Sequence, residues 1–192
     1  MSNLIYDKLT CVNALRENRK KLSDEVLATP ALFPELLAAC FSGDPQYAAK
    51  AAWVLEFVCI KKPDRILPHI DIFIGGLRSL KADGAKRSCG KICELLCDRY
   101  FDRKPNTVKK RLTRQHLNTL AEVCFDWLIA DEKVALKAYA MHCLYLLGTR
   151  ISWIHPQLRP VLEQGYHHHT AAYRSRAKKI LRKCPKNIET GE

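Results

Sequence analysis

Long apolar runs are missing from this 192-residue chain. No window of about 18 uncharged apolar residues occurs, and a bilayer-spanning helix needs one. The first eight residues, Met1-Ser2-Asn3-Leu4-Ile5-Tyr6-Asp7-Lys8, put an acid and a base where a secretory leader requires an apolar stretch, so no leader is expected. Strand signals are also missing. No segment alternates apolar and polar residues over several positions, and clusters of Val, Ile and Thr closed by turn residues do not occur, which argues against a sheet-built core. Catalytic signatures are equally scarce. There is no Gly-x-x-x-x-Gly-Lys-Ser/Thr, no His-Glu-x-x-His and no Gly-x-Ser-x-Gly, so the phosphate loop, the zinc-protease helix and the nucleophile elbow are not expected. Gly75-Gly76 stands inside a helical pattern, too isolated to cradle phosphate.

What the chain does contain suits one globular domain over residues 1–192. Its hydrophobic fraction is 47% and its charged fraction 27%, enough apolar surface for a packed core. The nine cysteines are an odd number, and Cys40, Cys59, Cys93, Cys124 and Cys143 fall inside apolar helical patterns. Such a set would mispair in an oxidising compartment, so the expectation is a reducing cytoplasm with cysteine as a small core residue.

The net charge of +12 is concentrated. One acid-free stretch holds Arg103, Lys104, Lys109, Lys110, Arg111 and Arg114; a second holds Arg174, Arg176, Lys178, Lys179, Arg182, Lys183 and Lys186. The other 19 bases stand against 20 acids, so these two stretches carry the whole excess. A localised field of this kind attracts polyanions.

Four segments repeat one pattern: Lys50–Phe57, Lys86–Cys93, Lys137–Leu144 and Arg174–Leu181, each opening on a cation. Three positions on come Trp53, Cys89, Ala140 or Ala177; seven on come Phe57, Cys93, Leu144 or Leu181. Offsets of three and seven share one helical face. The segments recur at intervals of 36, 51 and 37 residues, the spacing of stacked helical hairpins. The long interval contains the first basic stretch, read as an insertion over 98–115. Partner helices are predicted at 33–41, 66–80, 116–128 and 156–162. Asp83, Asp131 and Thr170 are predicted N-caps, and Gly43 and Gly148 are predicted C′ glycines. An N-terminal helix over about 4–21, with Ile5, Leu9, Val12 and Leu15 on one face, reads as a cap (1–22), because the end of a stack must hide its apolar face. Residues 170–186 read as a basic C-terminal capping helix.

The cation followed by small or apolar residues resembles the second helix of HEAT repeats across most of 44–183. The resemblance implies an all-α fold, an α-solenoid of about four to five helix pairs with an N-terminal capping helix. More closely, Lys50-Ala-Ala-Trp-Val-Leu-Glu-Phe-Val-Cys59, Cys124-Phe-Asp-Trp-Leu-Ile129 and Trp153-Ile-His-Pro156 look like a family of short bacterial helical-repeat proteins, some labelled adenylosuccinate lyase. The lyases' loop Ser-Ser-x-Met-Pro-x-Lys-x-Asn-Pro has no counterpart, and the chain has only Met1 and Met141. Acid–base machinery for fumarate elimination finds no residues here. The expected role is therefore non-enzymatic: an interaction or scaffold module for a protein or other acidic partner, with no cofactor, no metal and no membrane. The alternative is nucleic-acid binding through the two basic stretches, and a third reading is an enzyme, either of the lyase label or a DNA glycosylase of the HEAT-like kind.

Four further groups carry residue types with chemistry of their own. HEAT-like DNA alkylation glycosylases present tryptophan and aspartate to a damaged nucleotide; Trp127 and Asp131 stand four apart, but on an apolar face and at an expected cap. Cys89, Cys93 and Cys97 form a helical stripe that reads as packing rather than a soft-metal site. His167-His168-His169 reads as a surface loop. Lys50, Lys86 and Lys137 offer a possible extension of a basic ridge, with Glu56 and Glu94 acting against it.

Overall fold

A computed structural model describes residues 4–184. Among them there are eleven α-helices and no strand. The helices are α1 (Leu4–Thr10), α2 (Arg16–Ala28), α3 (Leu32–Cys40), α4 (Pro45–Lys61), α5 (Ile70–Gly76), α6 (Asp83–Phe101), α7 (Thr107–Arg111), α8 (Arg114–Ile129), α9 (Val134–Leu147), α10 (Ile154–His168) and α11 (Ala171–Leu181). Two 3-10 segments, Pro63–His69 and Leu77–Ser79, flank α5.

One row of helices forms the spine. α2 packs on α4, α4 on α6, α6 on α9 and α9 on α11. α3, α8 and α10 each pack on the row helix that follows them in sequence, and α1 packs on α3. Small residues permit the close approach within the row. A Cβ on Gly90 of α6 would lie 2.5 Å from Leu136 Cδ1 of α9, and Ala51, Ala52, Ala85, Ala140 and Ala177 are all buried. The larger side chains between them, including Leu55, Ile92, Leu96 and Leu144, are fully buried. Each contributes about 1.5–3 kcal/mol.

The row helices run parallel. Ser88 Oγ donates to Glu56 at 2.5 Å, and Lys86 near the start of α6 meets Glu132 just before α9. Asp98 late in α6 meets His142 late in α9 at 2.7 Å, and Lys183 just past α11 lies 5.7 Å from the Tyr145 ring. The connections therefore fall on two opposite edges: one where row helices end, one where they begin.

Several sequence expectations hold. Asp44 caps α4, accepting from Gln46 N and Tyr47 N with Pro45 in the first turn. Thr170 caps α11. Gly43 has φ +82°, the left-handed conformation that favours glycine, but it lies one residue beyond the expected C′ position, two after the C-cap Phe41 of α3. Leu117, Leu120, Ala121, Val123, Cys124, Trp127 and Leu128 are all buried on α8.

Others need correction. The single helix over about 4–21 is two, α1 and α2, and Leu15 is not on a buried face but 64% exposed at their junction. The helix over 66–80 is broken into 3-10, α and 3-10 turns, with Pro68 removing a donor inside it. Asp83 is the first residue of α6, after the N-cap Ala82, and Lys133, not Asp131, occupies the N-cap of α9. Gly148 has ordinary helical angles; it is small because His155 lies against it. His167 and His168 belong to the last turn of α10 rather than a loop. Trp53 and Phe57 are half-buried, not core, because the buried face of α4 is carried by Ala51, Val54, Leu55 and Val58. Residues 1–3 of the N-terminal cap, and Pro185 and Lys186 of the terminal helix, lie outside the described residues.

Candidate polyanion interface

The edge where α4, α6, α9 and α11 end is rich in bases. After α4 come Lys62 and Arg65, with Lys61 in its last turn; after α6 come Arg103, Lys104, Lys109, Lys110, Arg111 and Arg114; after α9 comes Arg150; after α11 come Arg182 and Lys183. Among the described residues of those connections the acids are Asp64 and Asp102. The opposite edge has Asp44, Asp83, Asp131 and Glu132 against Lys81 and Lys133. The two edges thus have opposite charge.

The first basic stretch is built into this edge by named contacts. α7 lies against α6 and the Pro63–His69 segment. Asn106 caps it, accepting from Lys109 N at 3.0 Å, and Thr107 bonds Asp64 across the gap. Arg111 donates from Nε to Leu67 O at 3.2 Å and from a terminal nitrogen to Asp71 at 3.0 Å. His116 completes the clasp. Its Nδ1 accepts from Thr113 N at 3.1 Å, so the ring proton sits on Nε2 and is donated to Asp71 Oδ1 at 2.8 Å. The hydrogen bond from His116, aided by the charge and hydrogen bond of Arg111, holds the Asp71 carboxyl below its ordinary 3.8. Both ring nitrogens are thereby occupied, which suits a tether and leaves no atom for general base work.

The predicted bases therefore divide by role. Arg111 is tied to the fold, and Lys109 donates to the Asp102 carbonyl. Arg103, Lys104, Lys110 and Arg114 are exposed and pair with no carboxylate among the described residues. The second stretch is split along α11. Arg182 and Lys183 lie at the basic edge. Arg176 reaches Glu94 of α6 at 3.4 Å. Arg174 and Lys179 are exposed on the helix body. Lys178 lines a groove between α10 and α11 with Arg159 and Arg182.

Sequence reasoning missed Lys61, Lys62, Arg65, His69 and Arg150. The first four line a groove of about 560 Å³ beside Pro30, Phe33, Pro63, Pro68 and one acid, Asp64. Phe33 and His69 stack with centroids 5.3 Å apart. Lys61 pairs with Asp24 and Arg65 donates to Leu27 O at 3.4 Å, which fixes the groove's walls. The available signal was a base just beyond each row helix, invisible until the row was known to be parallel.

The other candidates are structural. Lys50 donates to Thr10 O at the end of α1, Lys86 pairs with Glu132, and Lys137 donates to Leu128 O near the end of α8. They do not extend a basic ridge; two of them satisfy helix-terminal carbonyls. Burial lowers the Lys137 pKa. Glu94 is buried between Lys91 and Arg176. Cys40 and Cys89 touch, Sγ to Sγ 3.7 Å. Burial raises the pKa of Cys59 and Cys93, so these thiols stay protonated and poor as nucleophiles. Trp127 is buried. No group of three His, Cys, Asp or Glu residues suited to a metal occurs among the described residues. Comparison with protein-family models, with curated proteins and with solved structures gives no match for this chain.

Proposed function

We propose that this chain is a non-catalytic interaction module, an α-solenoid of HEAT-like hairpins that holds an acidic partner along its basic edge. The observation that carries this reading is the segregation of charge. Bases without carboxylate partners collect where the row helices end, while the opposite connections are acidic. Solubility alone calls for interspersed charge of both signs, and a one-sided field draws in partners of opposite sign. The titratable side chains that resemble a catalytic set support the non-catalytic reading: His116, Asp71, Glu94 and the core thiols are each occupied by the fold.

The test is titration of the protein with poly-glutamate and with an oligonucleotide of matched charge at low salt, poly-lysine serving as control. Binding of a polyanion that weakens steeply with salt is expected. Equal indifference to both polyanions at about 50 mM salt would end the reading.

A further inference from the structure

Resting on that reading, we propose that the partner is single-stranded nucleic acid. Its phosphodiester backbone runs along the basic edge, and one unpaired base lodges in the groove beside His69.

Three features select this partner. The first is spacing. Packed helices lie about 8–10 Å apart, so the four row-helix ends span roughly 30 Å and present exposed cations repeatedly: Lys62, Lys104 and Lys110, Arg150, Arg182. A polymer with one charge per unit meets such a ladder at every step, and a single-strand site of about 4–16 nucleotides is of this length. The second is the groove. It offers about 560 Å³ with apolar walls from Phe33, Pro63 and Pro68 and with cations from Lys62 and Arg65, beside Lys61, which is paired with Asp24, and the Asp64 carboxylate, which accepts from Thr107. That combination accepts a flat base and holds its phosphate. A carboxylate chain uses only the cations. The third is His69, partly exposed in the groove lining and stacked on Phe33. A ring fixed on one side presents a stacking face on the other, and single strands are bound by stacking as well as by charge. A duplex keeps its bases paired and leaves the groove empty.

The helix dipole favours the cations that follow the C-terminal ends of α4, α6, α9 and α11, but it does not account for Arg114. α8 begins at this same edge, where the helix end is positive, and Arg114 stands in its first turn with no acid there.

The test uses the full chain and fluorescence anisotropy with a labelled oligothymidylate of about 20 nucleotides, a blunt duplex of the same length, and poly-glutamate as competitor. The single strand is expected to bind at least tenfold more tightly than poly-glutamate of equal charge. Combined Lys62→Glu, Lys110→Glu and Arg150→Glu should weaken it at least tenfold at about 50 mM salt. The log–log salt slope should fall by about 2, at roughly 0.7 per lost single-strand contact. His69→Ala should weaken the single strand about fivefold or more and leave the duplex unchanged. Lys62→Gln with Arg65→Gln probes the same groove without touching the ring stack, and thermal melts confirm that each variant is folded. If poly-glutamate competes as well as the oligonucleotide, or duplex and strand bind alike and His69→Ala affects neither, the single-strand assignment is overturned and the acidic-partner reading stands. If no polyanion binds, both fall.

Discussion

The two edges of the helical row are made from the same element, a short connection between packed helices, yet they have opposite chemistry. On the acidic edge the charges serve the helices: Asp44 caps α4 and Asp83 stands in the first turn of α6, where negative charge meets the positive helix end. On the basic edge only part of the charge serves this purpose. Lys61 lies in the last turn of α4, a favourable place for a cation. Arg114 lies at the start of α8, where a cation is unfavourable. Charge that helps the fold is explained by the fold; charge that opposes the local dipole points outward to a partner.

The sharpest perturbation is steric and falls on the basic edge. Gly148→Ala sets a Cβ 2.1 Å from His155 Cδ2, and the ring is held because its Nε2 bonds Tyr145 O at 2.8 Å. We expect a loss of about 1–3 kcal/mol in urea unfolding; an unchanged midpoint would mean the α9–α10 connection is not packed as described. On the acidic edge, Asp44→Ala orphans the first amides of α4 and should lower stability by about 1 kcal/mol while leaving oligonucleotide affinity untouched. A parallel drop in affinity would erase the distinction between the edges.

The Asp71 clasp gives a pH signature. Its folded pKa lies below the ordinary 3.8, so its contribution is full above that value and is lost as pH falls through the lower folded one. The melting temperature of the wild type should therefore fall more between about pH 5 and pH 2 than that of Asp71→Asn; identical profiles would show that α7 is held some other way. The smallest effect is expected from Asp83→Lys with Asp131→Lys. These raise the net charge on the wrong edge, so oligonucleotide affinity should change less than about threefold. A large gain would mean that net charge, not its placement, governs binding.

The helices themselves were legible because their apolar residues recur at helical offsets: α8 and α9 fall where Leu117–Leu128 and Lys137–Leu144 place them. Legibility failed where a local rule met a tertiary demand. Leu15 continues an apolar stripe, but the chain turns there. Asp131 looks like a cap, but the turn before α9 places Lys133 at that position. Gly148 reads as a stop signal, yet its size answers to His155.

The basic stretch at 103–114 could be seen from the start, whereas the groove it adjoins could not. Lys62, Arg65 and His69 are separated from Lys110 by about forty positions in the chain. Periodicity and composition are local properties, so the amino-acid order alone determined that this protein is helical, where most helices lie and that its charge is clustered. Which bases stand together, and which are consumed by Asp71, Glu94 or a carbonyl, depended on the parallel packing of α4, α6, α9 and α11. That packing brings distant helix ends to one edge, and Coulomb interactions follow distance in space rather than along the chain.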